Sequence, residues 1–389
     1  MTSTHPAVPH DAQHHFPSTH PALFAPLTVG PLTLPNRIMI SPMCQYSADD
    51  GNATPWHTVH LGTLAISGAG LLCLEATAVN AGGRITYGCL GLYNDDNEAA
   101  LQQVVQTLRA VSGIALAIQL SHAGRKASSR APWDGGSLID LADGGWQPQA
   151  PSALPQKPGE AAPQALRVDE ISGVVDDFVA ATVRARRLGF DAIELHMAHG
   201  YLLHQFLSPI SNQRDDAYGG SLENRMRLPL EVLAAVRAVA GPDIAVGVRL
   251  SGTDWLEGGW DIEQSVELSK RLEAAGCAFL DISSGGISPA QKIPLGPGYQ
   301  VHLAHRVKSE VRIPVISVGL ITDPLQAEKI VAERQADMVA LARGMLNDPR
   351  WPWRAAAALG GTVQAPRQFW RSLPHGTPPI FGDIRIGQR

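Results

Sequence analysis

The sequence predicts an α/β protein, a (β/α)8 TIM barrel with an N-terminal hairpin and a long loop after the third strand. Eight short apolar runs alternate with amphipathic stretches, and polar or small residues gather where the runs end. The length of 389 residues and a hydrophobic content of 44% are sufficient for one large barrel. An open doubly wound sheet would want a glycine-rich turn after its first strand, whereas SPMCQYS (41–47) contains no glycine.

The elements follow one another in a regular order. Residues 27–34 form a predicted hairpin, with Gly30 and Pro31 at its turn. The barrel strands are predicted at 37–41, 71–78, 114–120, 192–196, 245–250, 279–283, 315–318 and 338–342. Helices are predicted at 59–67, 99–111, 171–188, 222–239, 262–275, 299–311 and 324–333.

Three segments depart from this rhythm. Residues 1–20, rich in His, Pro, Ser and Thr, have too little apolar content to fold alone, and we predict a disordered tail. The segment between Gly124 and Asp169 is long and rich in Gly and Pro, which is typical of a lid or an oligomer contact. Residues 21–371 are expected to form one barrel domain, and 372–389 a C-terminal tail without an assigned function.

Composition excludes several classes of protein. A formal net charge of −5 argues against a nucleic acid or an anionic membrane surface as partner. No apolar run reaches membrane-spanning length, and the N-terminus lacks the pattern of a secretory signal. The four cysteines show neither metal-ligand spacing nor a dense disulfide pattern. We therefore expect a protein of the reducing, cytoplasmic compartment.

The stretch 191–209, DAIELHMAHGYLLHQFLSP, carries the first chemical signal. It places His196, His199 and Tyr201 directly after a predicted strand. Two imidazole donors and one phenol suit a carbonyl that becomes an oxyanion or an enolate. A His-x-x-His pair is also half of many zinc sites, so the pair alone leaves a metal-dependent barrel hydrolase open.

The other strands also end in polar or small residues, at the face where barrel enzymes hold their active sites. Gly319 and Arg343 follow the last two strands, where backbone N–H groups and a guanidinium suit a phosphate, although a surface ion pair would equally explain the arginine. The remaining strand-end residues are Ser41, Pro42, Met43, Cys44, Tyr46, Glu75, Ala76, Gln119, Lys126, Arg249, Ser283 and Ala342.

Six ordered motifs resemble the old yellow enzyme family of flavin-dependent ene-reductases. They are SPMCQYS, EATAV, QLSHAGRK, HMAHGYLLHQFLSP, YGGSLENR and the pair Gly319 and Arg343. The resemblance runs from Leu23 to Arg371, and SPMCQYS is similar to the smaller bacterial subclass that includes thermophilic members.

The resemblance implies FMN as the cofactor and NADPH or NADH as the reductant, used in ping-pong fashion. It places the FMN phosphate near Gly319, Ala342 and Arg343, although a glycine is frequent at the position of Ala342. Gln119 would bond the pyrimidine edge and Arg249 would lie near N1, favouring the anionic reduced flavin. The flavin ring would be lined by Ser41, Pro42, Met43, Cys44 and Ala76. Cys44 either tunes the reduction potential or is a small buried hydrophobe.

The substrates implied are activated alkenes such as enones, maleimides and nitroalkenes. His196 and His199 would hold the carbonyl or nitro oxygen, and Tyr201 would protonate the α-carbon. Tyr46 would shape the substrate mouth, and Lys126 is either part of the rim or a solvated lysine.

Near the C-terminus, Arg371 resembles an arginine that reaches into a neighbouring subunit, which predicts a homodimer or homotetramer. The preceding Phe369 stands where the family often has tyrosine.

Iron–sulfur dienoyl reductases share this barrel but carry a later cysteine cluster, and no cysteine follows Cys277. A flavin-binding sensor, or a general flavin or quinone reductase without ene-reduction, remains the alternative.

Overall fold

Eight parallel strands close into a barrel, as predicted from the eight apolar runs. In the computed structural model, residues 20–384 are described, so the tail predicted at 1–20 lies, apart from His20, outside the described residues. The barrel strands are β3 (Ile38–Ile40), β4 (Leu71–Ala78), β5 (Ala115–Ser121), β8 (Ala192–Met197), β9 (Ala245–Ser251), β10 (Leu280–Ser283), β11 (Val315–Val318) and β12 (Met338–Leu341). They pair in chain order, and β12 closes the barrel on β3.

The predicted hairpin lies at the amino-terminal end of the barrel. Strands β1 (Leu27–Val29) and β2 (Leu32–Leu34) pair antiparallel around Gly30, whose φ of 55° favours glycine. A Cβ at Gly30 would lie 3.1 Å from the Ala278 Cβ, so the turn packs directly on the start of a barrel strand. The hairpin therefore closes this end with Val29 and Leu34.

Helices fill the intervals between the strands and form the outer layer. They are α1 (Pro55–Ala65), α2 (Asp95–Val111), α3 (Val168–Arg187), α4 (Leu202–Leu207), α5 (Leu222–Ala240), α6 (Ile262–Ala274), α7 (Val301–Lys308), α8 (Pro324–Ala332), α9 (Arg343–Asn347) and α10 (Trp351–Leu359). The predicted helices are confirmed, and α7 is shorter than expected because a turn at Ser309 and Glu310 ends it. The short helices α4, α9 and α10 were not delimited from the sequence.

The apolar core has two layers. Inside the barrel, Met39, Cys73, Ala117 and Phe279 are buried together with the hairpin residues. Phe279 fills the space beside Gly247, where a Cβ would lie 2.3 Å from the phenyl ring. The larger cluster lies between strands and helices, and this packing fixes the carboxyl-terminal strand ends in place.

The long segment after the third barrel strand is confirmed. It runs from the end of β5 to α3 and contains short 3₁₀ turns and one two-residue strand pair, β6 (Gln149–Ala150) with β7 (Gln164–Ala165). The segment is anchored on the strand-end face, since the Arg125 guanidinium donates to the Ile287 carbonyl and the Trp146 indole to the Gly82 carbonyl.

The C-terminal segment packs on α10 over its described part. Ile380 is 2% exposed, and its carbonyl accepts the Val363 N–H at 2.8 Å. Phe381 and Trp353 meet edge to face with ring centroids 4.9 Å apart. Within residues 20–384, none of the helices is both long and apolar enough to cross a lipid bilayer.

Candidate active site

The two histidines lie together at the end of β8. Their rings meet edge to face, with centroids 5.1 Å apart. His199 has a φ of 59°, and the Ser251 hydroxyl accepts its N–H at 3.0 Å. Gly286 packs behind it, because a Cβ there would lie 2.4 Å from the His199 carbonyl carbon. The neighbouring loop therefore packs against a positive-φ backbone conformation that is uncommon for residues other than glycine.

Both imidazoles are neutral at physiological pH. Burial, and next to it the charge of Arg249, lowers the pKa of His196 and of His199 well below the ordinary value. The Nδ1 of His196 accepts the Ala198 N–H at 3.2 Å, so its ring proton is on Nε2. The Nε2 of His199 lies 2.7 Å from the Ser283 hydroxyl. His196 can thus donate its Nε2–H to a ligand, whereas the direction of the His199–Ser283 bond sets which nitrogen of His199 is the donor.

Tyr201 completes the group. Burial raises the pKa of its phenol well above the ordinary value, so the hydroxyl keeps its proton across the physiological range. The Lys126 Nζ lies 5.3 Å from the centre of the Tyr201 ring and donates to the carbonyls of His199, at 2.7 Å, and Gly286, at 3.0 Å. Burial, followed by the charges of Arg125 and Lys157, lowers the pKa of Lys126 to about 8. Lys126 is therefore half-buried and hydrogen-bonded beside Tyr201, and it is not a fully solvated lysine.

A cavity of about 180 Å³ opens beside Tyr201. Tyr46 lines it together with the phenol, and the exposed Trp133 meets the Tyr46 ring edge-on at 5.5 Å. The long segment after β5 supplies the other wall, which is rich in cations: Arg125, Lys126, Arg130 and Lys157.

The residues expected along a flavin ring lie at the adjoining strand ends. Ser41 is 1% exposed, and its N–H donates to the Leu341 carbonyl. Pro42 and Met43 are half-buried. The neighbouring Cys89 thiol, and next to it burial, raises the pKa of Cys44 well above its ordinary value.

A β-bulge in β4 sets which side chain faces the barrel interior. Leu74 pairs with Ile118, and the next pair is Ala76 with Gln119, so Glu75 is an extra residue. Ala76 thereby takes the position beside Gln119 that an unbroken strand would give to Glu75.

Gln119 and Arg249 each contact a buried acid. The Gln119 amide donates to Glu194 Oε1 at 2.7 Å, and Arg249 Nε lies 3.3 Å from Asp281 Oδ2. Burial, and next to it the charge of Asp281, raises the pKa of Glu194 to about 8. The sequence analysis missed both acids, although a single acid inside the apolar runs AIELHM and FLDIS was a signal for them.

Gly319, Ala342 and Arg343 line a second cavity, of about 140 Å³, at the ends of β11 and β12. Gly319 has a φ of 124°, and a Cβ there would lie 2.8 Å from the Gln300 amide nitrogen. Gln300 packs over Gly319, and the cavity combines an arginine with small residues, as a phosphate requires.

FMN fits this arrangement on three observations. Among the described residues, the buried Ser41 hydroxyl has no hydrogen-bond partner. The Arg249 guanidinium is buried and held in place by Asp281. The Gly319 cavity offers a cation and small residues for the phosphate.

One candidate residue lies elsewhere. Arg371 is exposed on the C-terminal segment and lines neither the Tyr201 cavity nor the Gly319 cavity. Within residues 20–384, no group of three or more His, Cys, Asp or Glu side chains is arranged to hold a metal ion.

Fold and site together define an α/β-barrel oxidoreductase built around a phosphorylated flavin. The model of the NADH:flavin oxidoreductase / NADH oxidase family matches residues 22–360. The chain belongs to this family, and within it to the old yellow enzyme type, and it is an FMN-dependent NAD(P)H oxidoreductase.

Known relatives cover nearly the whole barrel. An NADPH dehydrogenase of Halalkalibacterium halodurans is 41% identical over 353 residues, which are 90% of this chain and 98% of that protein. An NADPH dehydrogenase of Geobacillus thermodenitrificans is 42% identical over 352 residues, with the same coverage of 90% and 98%. Morphinone reductase in complex with tetrahydroNAD superposes with a TM-score of 0.72 at 32% identity, covering 89% of this chain and 93% of that one. An old yellow enzyme homologue from Zymomonas mobilis gives 0.72 at 26% identity, covering 89% and 94%.

Proposed function

We propose that the protein reduces the C=C bond of activated alkenes, namely enones, maleimides and nitroalkenes, with electrons from NAD(P)H. The observation that carries this proposal is the juxtaposition of two neutral imidazoles and a protonated phenol at one strand end. Bound FMN would supply the hydride chemistry between NAD(P)H and the β-carbon of the alkene, through N5 and in a ping-pong sequence.

His196 and His199 bind the carbonyl or nitro oxygen in this proposal. A neutral imidazole donates without carrying a charge of its own, and two donors stabilise negative charge that develops on the oxygen. For His196 the donor is Nε2, since Nδ1 accepts the Ala198 N–H. For His199 the donor is Nδ1 in the tautomer whose Nε2 accepts the Ser283 hydroxyl.

Tyr201 is the acid that protonates the α-carbon. Its hydroxyl keeps its proton because burial raises the pKa. The Tyr201 ring contacts the His196 ring, so the proton donor is fixed relative to the oxygen-binding pair. Tyr46 lines the same cavity and shapes its mouth.

The FMN site consists of the strand-end residues described above. Gly319, Ala342 and Arg343 would hold the phosphate, and Gln119 and Arg249 would hold the polar edge of the ring system. Ser41, Pro42, Met43, Cys44 and Ala76 would line the ring.

The proposed reductant is NADPH in preference to NADH. Several relatives are named NADPH dehydrogenases. The wall of the Tyr201 cavity carries Arg130 and Lys157, whose side chains are 46% and 47% exposed and lie 4.0 Å and 3.7 Å from their nearest carboxylates. Such loosely paired cations suit the additional phosphate that distinguishes NADPH from NADH.

A homodimer or homotetramer is proposed from Arg371, which reaches the active site of a neighbouring subunit. It is exposed and lies outside both cavities of its own barrel. Replacing Arg371 with alanine should raise the KM of the alkene without releasing FMN, and unchanged kinetics would refute the assignment.

The function is tested by anaerobic turnover of NADPH with 2-cyclohexenone. We expect parallel double-reciprocal lines, as a ping-pong mechanism requires, and cyclohexanone formed in step with NADPH consumed. NADPH oxidation that occurs with a quinone but never with an enone, a maleimide or a nitroalkene would favour a general flavin or quinone reductase. Bound FMN without turnover of any acceptor would favour a sensor.

A further inference from the structure

The bulge in β4 turns Glu75 away from the barrel interior. Its neighbours in the strand pair with Ile118 and Gln119, and Glu75 itself has no partner in this register. Bulges re-aim a side chain, and they are common next to active sites. The carboxylate reaches α1 and the segment that follows β3, where its side chain is 3% exposed.

Glu75 contacts one group on each side. Its Oε1 lies 3.4 Å from the His57 Nε2, and its Oε2 accepts the Gln45 N–H at 3.1 Å. The Thr54 N–H donates to His57 Nδ1 at 2.9 Å, so a neutral imidazole carries its proton on Nε2, facing the carboxylate. The Thr54 backbone therefore orients His57, whose Nε2 faces the Glu75 carboxylate at 3.4 Å.

Gln45 links Glu75 to the neighbouring site residues Cys44 and Tyr46, because its backbone N–H donates to the Glu75 carboxylate. The Gln45 side chain donates to the Met43 carbonyl at 2.9 Å and accepts the Trp56 indole N–H at 3.1 Å. Backbone and side chain of Gln45 are thus both tied down, immediately after Cys44 and immediately before Tyr46.

The backbone of Tyr46 depends on these hydrogen bonds, because its φ of 52° is uncommon for a residue other than glycine. A non-glycine residue keeps such a conformation only where its surroundings determine it. On the far side, Gly88 packs against the Tyr46 backbone so closely that a Cβ would lie 2.4 Å from the Tyr46 carbonyl oxygen. The segment 43–46 is consequently clamped between the Gly88 backbone and the Glu75 carboxylate.

We propose that Glu75, oriented by His57, is a positioning residue that sets the Cys44 thiol at the cofactor and the Tyr46 ring at the substrate mouth. It touches neither group directly and acts through Gln45. The proposal rests on the cofactor role of Cys44 and the substrate role of Tyr46 given above.

The test uses the FMN-loaded protein and four variants: Glu75→Ala, Glu75→Gln, Cys44→Ala and the double variant Glu75→Ala/Cys44→Ala. The midpoint potential of bound FMN should shift in Glu75→Ala in the same direction as in Cys44→Ala, with no further shift in the double variant. The KM of cyclohexenone should rise about tenfold, the equivalent of one lost buried hydrogen bond, while kcat changes less. Glu75→Gln retains an acceptor for the Gln45 N–H and should restore most of both properties.

Glu328→Ala is the matched control. Glu328 lies on α8 and is also buried. Its carboxylate accepts the backbone N–H groups of Ala22 and Leu23. Its loss should lower stability and leave both the potential and the KM of cyclohexenone unchanged. If Glu75→Ala does not fold, Trp56→Phe removes the indole tie to Gln45 at a residue that is 51% exposed and should raise the KM of cyclohexenone by a smaller factor.

Two results would overturn the proposal. One is a Glu75→Ala protein that loses stability but keeps the potential and the KM of the parent. The other is a potential shift that adds to that of Cys44→Ala in the double variant. If Cys44→Ala itself leaves the potential unchanged, the cofactor role of Cys44 is wrong, and the KM of cyclohexenone alone decides the role of Glu75.

Discussion

The ring of Tyr201 meets the ring of His196 edge to face, with centroids 4.7 Å apart and an interplanar angle of 86°. The proposed acid and one of the proposed oxygen donors are therefore packed as one rigid unit. Removing the hydroxyl leaves this packing intact, so the acid can be tested separately from the binding of the oxygen.

Tyr201→Phe should slow the oxidation of reduced enzyme by cyclohexenone by roughly 10²- to 10⁴-fold, the usual contribution of a positioned acid. Reduction of FMN by NADPH should proceed at the rate of the parent, since that step needs no acid. Rapid-mixing absorbance at the flavin band measures both steps. Tyr218→Phe is the control, since its hydroxyl donates to Glu231 and it lines neither cavity, and it should retain the oxidation rate; an equal effect in both variants would argue against Tyr201 as the acid.

Alkene turnover should fall as pH rises through about 8, where Lys126 loses its proton. The ammonium form places a positive charge on the His199 carbonyl and beside the Tyr201 ring, and so favours negative charge on the bound oxygen. In Lys126→Gln the inflection of kcat/KM near pH 8 should disappear. An inflection that persists would instead point to Glu194, whose buried carboxyl has a pKa raised to about 8.

Arg130→Ala and Lys157→Ala should each raise the KM of NADPH about tenfold, the equivalent of one charge-assisted hydrogen bond. The KM of NADH serves as the internal control, since NADH lacks the additional phosphate. Equal losses for both nucleotides would mean that these cations shape the cavity and do not select the reductant.

Asp254→Ala should lower the free energy of unfolding by roughly 1–3 kcal/mol, because it leaves buried hydrogen-bond donors unsatisfied. Asp254 lies 2.9 Å from His204 Nε2 and accepts the Ser208 hydroxyl and the Trp260 N–H. Burial alone would raise the pKa of Asp254, but His204 and these donors lower it below the ordinary value. The folded-state pKa is therefore depressed, and the stabilisation is present at neutral pH and is lost as pH falls through that pKa.

Denaturant titration at neutral and acidic pH measures the effect of Asp254→Ala. The matched control is Asp95→Ala, which removes an almost fully exposed partner of Arg184 and should leave stability unchanged. A loss of similar size in both variants, or no dependence on pH, would contradict the account of Asp254.

Much of the fold follows from the sequence, because strand periodicity and alternating helices determine a barrel. Parallel strands all end at the same face, so His196, Gln119, Arg249 and Gly319 were expected to meet there. The agreement is best for long apolar runs such as β4 and β9, whose bounds depend on local composition.

The local features that orient the side chains of the site could not be predicted from the periodicity of the sequence. The bulge at Glu75 depends on pairing with β5, and the positive φ values of Tyr46 and His199 depend on Gly88 and Gly286 from other segments. The acids Glu194 and Asp281 lie within apolar runs, and their partners are distant in the chain. These features are set by tertiary packing, which periodicity does not encode.

The most direct test of ene-reduction is the flavin absorbance of the purified protein during an anaerobic titration, first with NADPH and then with 2-cyclohexenone. We predict a yellow protein that bleaches with one equivalent of NADPH and recovers its colour on addition of the enone. A flavin that bleaches but stays reduced in the presence of enones, maleimides and nitroalkenes would contradict the proposed function.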